Sequence, residues 1–375
     1  MAGIYIHIPF CHQKCNYCDF YKTLNTSRKA EFLAALKKEA LERVSYLNGA
    51  PVESVYLGGG TPSVLNEEEI GSLLDFIRKC FTVLSHAEIT LEANPDDLNP
   101  GYLRSLNDLG INRLSIGIQS FNDFYLKNMN RRHNGQQAVA SIENALAAGF
   151  SNLSTDLIYG FPGLTLQQWE KTLKTMFSYP ITHLSAYHLT YHEGTPFYSW
   201  LRKGKIRELD ENESIAQYYL LLDESSKAGF EAYEISNFAR QQMYALHNSA
   251  YWTGKPYLGL GPSAHSFNGI KRRWNIASVT SYNRAVVNKM PYWEEEELTD
   301  NEKYNEYILT RLRTCWGVST DNLENRFGEK YSAMFKEQAI KYLTTGKIRE
   351  NSGVYTLTRQ GLFISDDILA GFMII

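Results

Sequence analysis

Two periodicities alternate along the first two-thirds of the chain. Short β-rich runs occur at IYIHI (4–8), SVYLGG (54–59), EITLEAN (88–94), RLSIGIQ (113–119), NLSTDLIYG (152–160) and HLSAYHLTY (183–191). Between most of them, apolar residues recur at helical spacing, i, i+3, i+4. In RKAEFLAALKKEALERVSYL (28–47) the expected stripe is Phe32, Leu33, Leu36, Ala40 and Val44. EEEIGSLLDFIRKCF (67–81) and QAVASIENALAAG (137–149) behave likewise, the second closed by Gly149 as a C-cap. Six strands alternating with helices predict an α/β fold with a parallel sheet. The local pattern suits both a βα barrel and a doubly wound open sheet. The strands are not continuously apolar: Glu92, Gln119, Asp156 and His188 fall at or near their C-terminal ends. In a barrel, functional side chains gather there.

Periodicity weakens after about residue 235. The stretch ISNFARQQMYALHNSAYWTGKPYLGLGPSAHSF is dense in Gly, His and aromatic residues and is expected to cover or complete a site. Helical patterns return near 300 in NEKYNEYILTRLRT and AMFKEQAIKYL, followed by GVYTLTRQG, a short strand and turn. This order predicts a small winged-helix-like C-terminal α+β domain. The expected organisation is a core over 1–235, a covering segment over 236–295 and a C-terminal domain over 296–375, with EEEE (294–297) as a solvated linker.

Composition narrows the function. Charged residues make up 21% of the 375, with a formal net charge of −3, which does not suit binding to a polyanion such as nucleic acid. No apolar run is long enough to span a bilayer and no secretory signal is evident, so a cytoplasmic location is expected.

Five cysteines occur, three of them in CHQKCNYC (11–18) just after the first strand. An odd, clustered set speaks for metal or redox chemistry rather than a disulfide framework. Structural zinc needs four ligands, so His7 or His12 would have to complete such a site. An iron–sulfur cube suits three thiols better: Cys11, Cys15 and Cys18 would hold three irons and leave one open to a bound small molecule. Cys80 and Cys315 read as ordinary buried or half-buried residues.

IPFCHQKCNYC resembles the cluster loop of the radical S-adenosylmethionine (SAM) superfamily. The resemblance implies a [4Fe–4S] cluster whose open iron binds the amino and carboxylate groups of SAM. It also implies an electron donor and a partial (β/α)6 TIM-like barrel, in line with the six strand signals. By the same resemblance LGGGTP (57–62) holds the SAM amino group, through Gly58, Gly59, Gly60 and Thr61. Glu92, Gln119, Arg131 and Asp156 become further SAM-binding candidates. Tyr17 falls where the family places an aromatic residue near the adenine, and Tyr5 is a second candidate.

YIHIPFCHQKCNYCDF, GGGTP, EANP, GIQSFND and DLIYGFPG together are similar to the oxygen-independent coproporphyrinogen III oxidase group, over nearly the whole chain. That group also contains haem chaperones. The oxidases have a further cysteine one residue past the triad, where this chain has Phe20, and an N-terminal extension that is not expected here. The HNSAYW run (247–252) matches a chaperone signature. Imidazole is a standard axial ligand for haem iron, and an adjacent Tyr-Trp pair offers flat apolar surface. His247, Tyr251 and Trp252 are therefore haem-site candidates, with His265 a second histidine. The implied function is to carry haem to haem proteins, with peripheral contact to membrane haem proteins. Oxidative decarboxylation of coproporphyrinogen III is the alternative.

Overall fold

The computed structural model describes residues 1–374. Each of the six predicted strands is present: β1 (Ala2–Ile8), β2 (Val52–Gly59), β3 (Val83–Ala93), β4 (Arg113–Gln119), β5 (Asn152–Tyr159) and β6 (His183–His188). They pair in chain order and in parallel. A doubly wound sheet reverses strand order at a switch point. This one does not, so the six βα units form a partial barrel.

Further strands extend both edges of the same sheet. β7 (Phe230–Ala232) and β8 (Asn237–Arg240) add beyond β6, with β8 antiparallel to it. β9 (Tyr257–Leu260) pairs parallel with β1, followed outward by β10 (His265–Phe267), β11 (Lys271–Asn275) and β12 (Trp293–Glu297). β7 and β8 thus lie on either side of residues 235 and 236, within one sheet. Buried Glu39, on the helix Lys29–Glu42, ties the added strands down. It accepts from Tyr282 Oη (2.5 Å), Asn275 Nδ2 (2.7 Å) and the Gly261 amide (2.8 Å). Its neighbour Arg43 donates to the Gly259 carbonyl (2.9 Å).

Two sequence readings need correction here. The helix bearing Phe32 ends at Glu42, and a 3-10 turn over Val44–Leu47 swings Val44 outward; Ala35 and Glu39 lie on the buried stripe instead. Glu294–Glu297 is not a linker but edge strand β12, paired antiparallel with the basic strand β11. Lys271 Nζ meets Glu295 at 2.9 Å, and Arg273 lies 3.7 Å over the Trp293 ring. Cross-strand charge pairing holds the run extended, while its exposed carboxylates protect the sheet edge.

Residues alternate between the two faces of each barrel strand. Ile4, Ile6 and Ile8, Val55 and Leu57, Ile89 and Leu91, Leu114 and Ile116 all belong to the continuous apolar core shared with the helices. The intervening positions meet one another inside the barrel and are polar. Ser54 bonds His247, Tyr56 bonds Glu92, Ser115 bonds Asp156, and Ser154 bonds His183. Arg113 lies 3.8 Å from Glu88. Neighbouring strands thus place polar groups at the same depth, and the interior can hold a polar ligand.

The C-terminal domain has its own apolar cluster, including Tyr304, Ile308, Leu323, Phe335 and Phe372. Helices Asp300–Leu312, Thr320–Phe327 and Glu329–Thr344 pack with a three-stranded sheet of β13 (Val318–Ser319), which follows the first helix, and β14 (Ile348–Asn351) and β15 (Val354–Leu357), which follow the third, the winged-helix-like arrangement expected. It meets the barrel through Arg359, which grips Asp223 with two contacts of 2.5 and 2.9 Å. Cys80 is half-buried, whereas Cys315 is exposed, because it lies in the turn between the helix Asp300–Leu312 and β13.

Candidate functional site

The cysteine loop leaves β1 at the C-terminal end of the barrel and is held on several sides. The Cys11 amide donates to the Thr23 carbonyl (3.0 Å) and the Thr23 amide to the Pro9 carbonyl (2.7 Å). Gln13 Nε2 donates to Asn130 Oδ1 (2.7 Å), Asn16 Nδ2 to the Asn128 carbonyl (2.7 Å), and Asn130 Nδ2 to the Lys14 carbonyl (2.8 Å). The NMNRR stretch is therefore a clamp for the loop. A loop fixed in advance costs little ordering entropy when it takes up a ligand.

Behind the loop, the glycines of LGGGTP let two chain segments touch. A Cβ on Gly60 would fall 2.8–2.9 Å from backbone atoms of Ile8, Pro9 and Phe10. On Gly59, whose φ is +109°, it would fall 2.6 Å from the His7 ring. Thr61 Oγ1 donates to Cys11 Sγ (3.3 Å), and Arg131 Nη1 to Cys15 Sγ (3.4 Å). Burial pushes the Cys11 thiol up, and the Thr61 hydroxyl pulls it back. Donors aimed at sulfur favour the thiolate form that binds iron.

A cavity of about 400 Å³ opens between this loop and the strand ends. Cys11, Cys15 and Cys18 line one wall, and Tyr17, Gly59, Gly60, Thr61, Glu92, Gln119, Arg131 and Asp156 also border it. Arg131 Nη2 is anchored by Asn94 Oδ1 (2.6 Å) and the Gly117 carbonyl (2.7 Å), which turns its other nitrogen toward Cys15. Gln119 has a φ of +65°, an uncommon backbone for a residue with a side chain. Burial raises Glu92 to about 7, although Tyr56 Oη (2.8 Å) and the Gly59 amide (3.1 Å) both donate to it. Asp156 is raised to about 6, again chiefly by burial.

Other candidates lie elsewhere. Gly58 and Tyr5 do not border the cavity: a Cβ on Gly58 would meet the Tyr56 ring at 2.8 Å, and Tyr5 Oη bonds His7 Nδ1 (3.1 Å). Asp156 does not end its strand, since β5 continues to Tyr159. His247 is buried near the opposite, N-terminal end of the strands. Nδ1 bonds Ser54 Oγ (3.0 Å) and Nε2 bonds Tyr251 Oη (2.8 Å), so neither ring nitrogen is free for iron. The ring stacks on Tyr56 at 5.2 Å, and Tyr56 in turn holds Glu92. The HNSAYW helix (Leu246–Thr253) is thus a buttress beneath the cavity. Trp252 is half-buried and His265 is exposed beside Trp274; neither borders the cavity. His7, the zinc alternative, has both ring nitrogens hydrogen-bonded, to Tyr5 and to the Tyr21 carbonyl.

Asn94, Ser115, Gly117, Tyr187 and His192 also border the cavity and were not singled out in the sequence. Strand parity could have found Ser115, Gly117 and Tyr187, which share a face with Arg113, Gln119 and His183.

The residues fit the two expected cofactors. Among the described residues, no three His, Cys, Asp or Glu side chains converge on a point that could hold a single metal ion. A cube offers its irons at separate corners, which suits three thiols spread along one wall. Carboxylates, an amide and a guanidinium facing one cavity suit a ligand with ammonium, hydroxyl and carboxylate groups. No helix among the described residues is long and apolar enough to cross a membrane.

Comparison with known proteins agrees. Residues 5–176 match the radical SAM superfamily, and residues 298–364 match the HemN C-terminal domain. The chain is 33% identical to "Heme chaperone HemW" of Bacillus subtilis, covering 100% of this chain and 99% of that one. It is 30% identical to the protein of that name from Lactococcus lactis, covering 99% and 97%. The solved structure of the Escherichia coli coproporphyrinogen III oxidase HemN superposes with a TM-score of 0.85 at 24% identity, over 99% of this chain and 89% of that one. The chain belongs to the radical SAM superfamily, in the HemN-like group that includes the heme chaperones HemW, and its cofactors are a [4Fe–4S] cluster and S-adenosylmethionine.

Proposed function

We propose that this protein binds haem and delivers it to haem proteins in the cytoplasm, with the cluster and SAM cavity governing the transfer. Full-length similarity to proteins named as heme chaperones carries the reading. Phe20 supports it: exposed at the cavity wall, it stands where the related oxidases have a further cysteine.

When bound, the cluster supplies an iron with an open position for SAM and an electron from a reductase-type donor. The chain's own residues prepare the place. Cys11, Cys15 and Cys18 would hold the cluster, while Thr61 and Arg131 stabilise charge on two of the sulfurs. Glu92, fixed by Tyr56 and Gly59, would accept from the SAM ammonium or ribose. Gln119 and Asp156 would meet its remaining polar groups, and Tyr17 would cover the adenine.

The test has two arms. Anaerobically reconstituted protein is loaded with hemin and mixed with an apo-haem protein, and the Soret band of the acceptor is followed. The same preparation is incubated with coproporphyrinogen III, SAM and reductant. Transfer without protoporphyrinogen formation is expected. Robust decarboxylation would overturn the reading in favour of an oxidase.

A further inference from the structure

A second cavity, of about 700 Å³, lies where the ends of β5 and β6 meet the helix Glu211–Lys227 and the C-terminal domain. Its volume falls within the usual range of small-molecule sites, roughly 300–1,000 Å³. It shares His188, Leu189 and Thr190 with the cofactor cavity, so an occupant would sit beside SAM.

Its walls are aromatic, through Tyr159, Tyr191, Tyr218 and Phe363. Tyr159 stacks on Trp169 at 5.4 Å, and Tyr218 lies nearly parallel to it at 6.5 Å. His188, itself held by Ser214 (3.1 Å), meets the edge of Tyr159. Two of the three stacked rings have their polar end satisfied. Trp169 Nε1 donates to the Gln217 carbonyl (3.0 Å), and Tyr218 Oη to the Ile235 carbonyl (3.2 Å). The third does not: Tyr159 is 5% exposed, yet among the described residues its hydroxyl has no hydrogen-bond partner. A buried tyrosine hydroxyl ordinarily finds one. The Tyr191 hydroxyl is likewise buried without a partner. Two phenol groups bordering one cavity are thus left for an occupant.

The charge of the lining decides which kind. Glu208, Glu211 and Asp366 border the cavity against one cation, Arg313, which Asp366 already engages at 2.8 Å. Among the described residues Glu208 and Glu211 have no ion-pair partner. Glu208 stands close to Tyr191: burial first, and then the Glu208 charge, push that phenol up to about 12. An anion would therefore meet two uncompensated carboxylates. A metal ion needs several ligands at one point, and among the described residues no three His, Cys, Asp or Glu side chains converge in that way. An organic cation suits all of these features. Its charge would meet Glu208 and Glu211, its body would lie against rings that attract cations, and its N–H groups would donate to the free phenol oxygens.

We propose that this second cavity binds an organic cation, a guanidinium, amidinium or ammonium group on a flat or aliphatic body, with Glu208 and Glu211 as counter-charges and the Tyr159 hydroxyl as a hydrogen-bond partner. This site is independent of the haem-carrying reading. The cation is held non-covalently and comes either as a free amine or as a side chain of a protein segment that reaches into the cavity.

Isothermal titration of the full chain, loaded with cluster and saturated with SAM, tests this with benzamidine, its uncharged counterpart benzamide and the anion benzoate. SAM keeps the probes out of the cofactor cavity. Benzamidine should bind saturably, roughly tenfold or more tighter than benzamide, and more weakly as salt is raised, while benzoate should not bind. Exchanging both carboxylates, Glu208→Gln with Glu211→Gln, should weaken benzamidine by roughly fivefold or more. Tyr159→Phe should weaken it by roughly fivefold, through one lost hydrogen bond, with the fold unchanged by circular dichroism. Tyramine and a capped Arg-Phe dipeptide then separate the two sources: tighter tyramine binding assigns the site to a free amine, and tighter dipeptide binding to a protein segment. Failure of all three cations to bind, equal binding of benzamide and benzamidine, or binding indifferent to both variants would overturn the proposal.

Discussion

Replacing Glu92 by glutamine should make the protein more stable at alkaline pH while impairing its site. Burial raises this carboxyl from 4.5 to about 7, so the folded chain holds the proton more tightly than the unfolded one. Its contribution to stability is therefore fully present below about pH 4.5 and is lost as pH rises through about 7. A gap of that size corresponds to about 3 kcal/mol at pH 8.5. Glutamine carries no charge to bury, but its amide cannot accept from both Tyr56 and Gly59 as the carboxylate does. One lost hydrogen bond costs about 1 kcal/mol. Glu92→Gln should thus gain about 2 kcal/mol at pH 8.5 and lose about 1 kcal/mol at pH 5, by the same principles. Urea unfolding of cluster-free protein across pH 5–8.5 measures this directly. Parallel stability curves for the two proteins would refute the reasoning. In the reconstituted protein the same change should weaken SAM binding by roughly tenfold or more, because a hydrogen bond to a charged group is worth about 1.5–3 kcal/mol.

Four further outcomes follow from the same geometry. Serine at Cys11, Cys15 or Cys18 should abolish iron and sulfide incorporation, whereas serine at Cys80 or Cys315 should leave it unchanged, by elemental and sulfide analysis. Glu39→Ala should lower unfolding free energy by about 3–5 kcal/mol, because it leaves Arg43 buried without its carboxylate; calorimetry would show it. Gly60→Ala should cost about 1–3 kcal/mol, since backbone rather than a side chain must give way, and should lower cluster retention measured at about 400 nm. Arg131→Lys should reduce SAM affinity and speed cluster loss. One ammonium cannot span Cys15, Asn94 and Gly117 as a planar guanidinium does.

Hydrophobic periodicity alone located the six barrel strands and their helices, because each βα unit buries an apolar stripe through local spacing. The cysteine triad was equally legible, since three thiols on one short loop leave few chemical options. Strand-end polar residues such as Glu92 and Gln119 could be named for the same reason. What lies between the strands could not be read that way. That His247 props Tyr56 from below, rather than facing a ligand, depends on strands β1 and β2 meeting a helix nearly two hundred residues later. EEEE reads as a solvated run until β11 supplies the cations that draw it into a strand. Arg131 and the NMNRR clamp gain their meaning only where β4 and the cysteine loop come together. The sequence by itself determined the repeating unit and the cluster ligands, since both arise from neighbours in the chain. The tertiary structure decided which polar groups face one cavity and which, like His247, are spent on holding the strands, because burial and hydrogen bonding there come from distant segments.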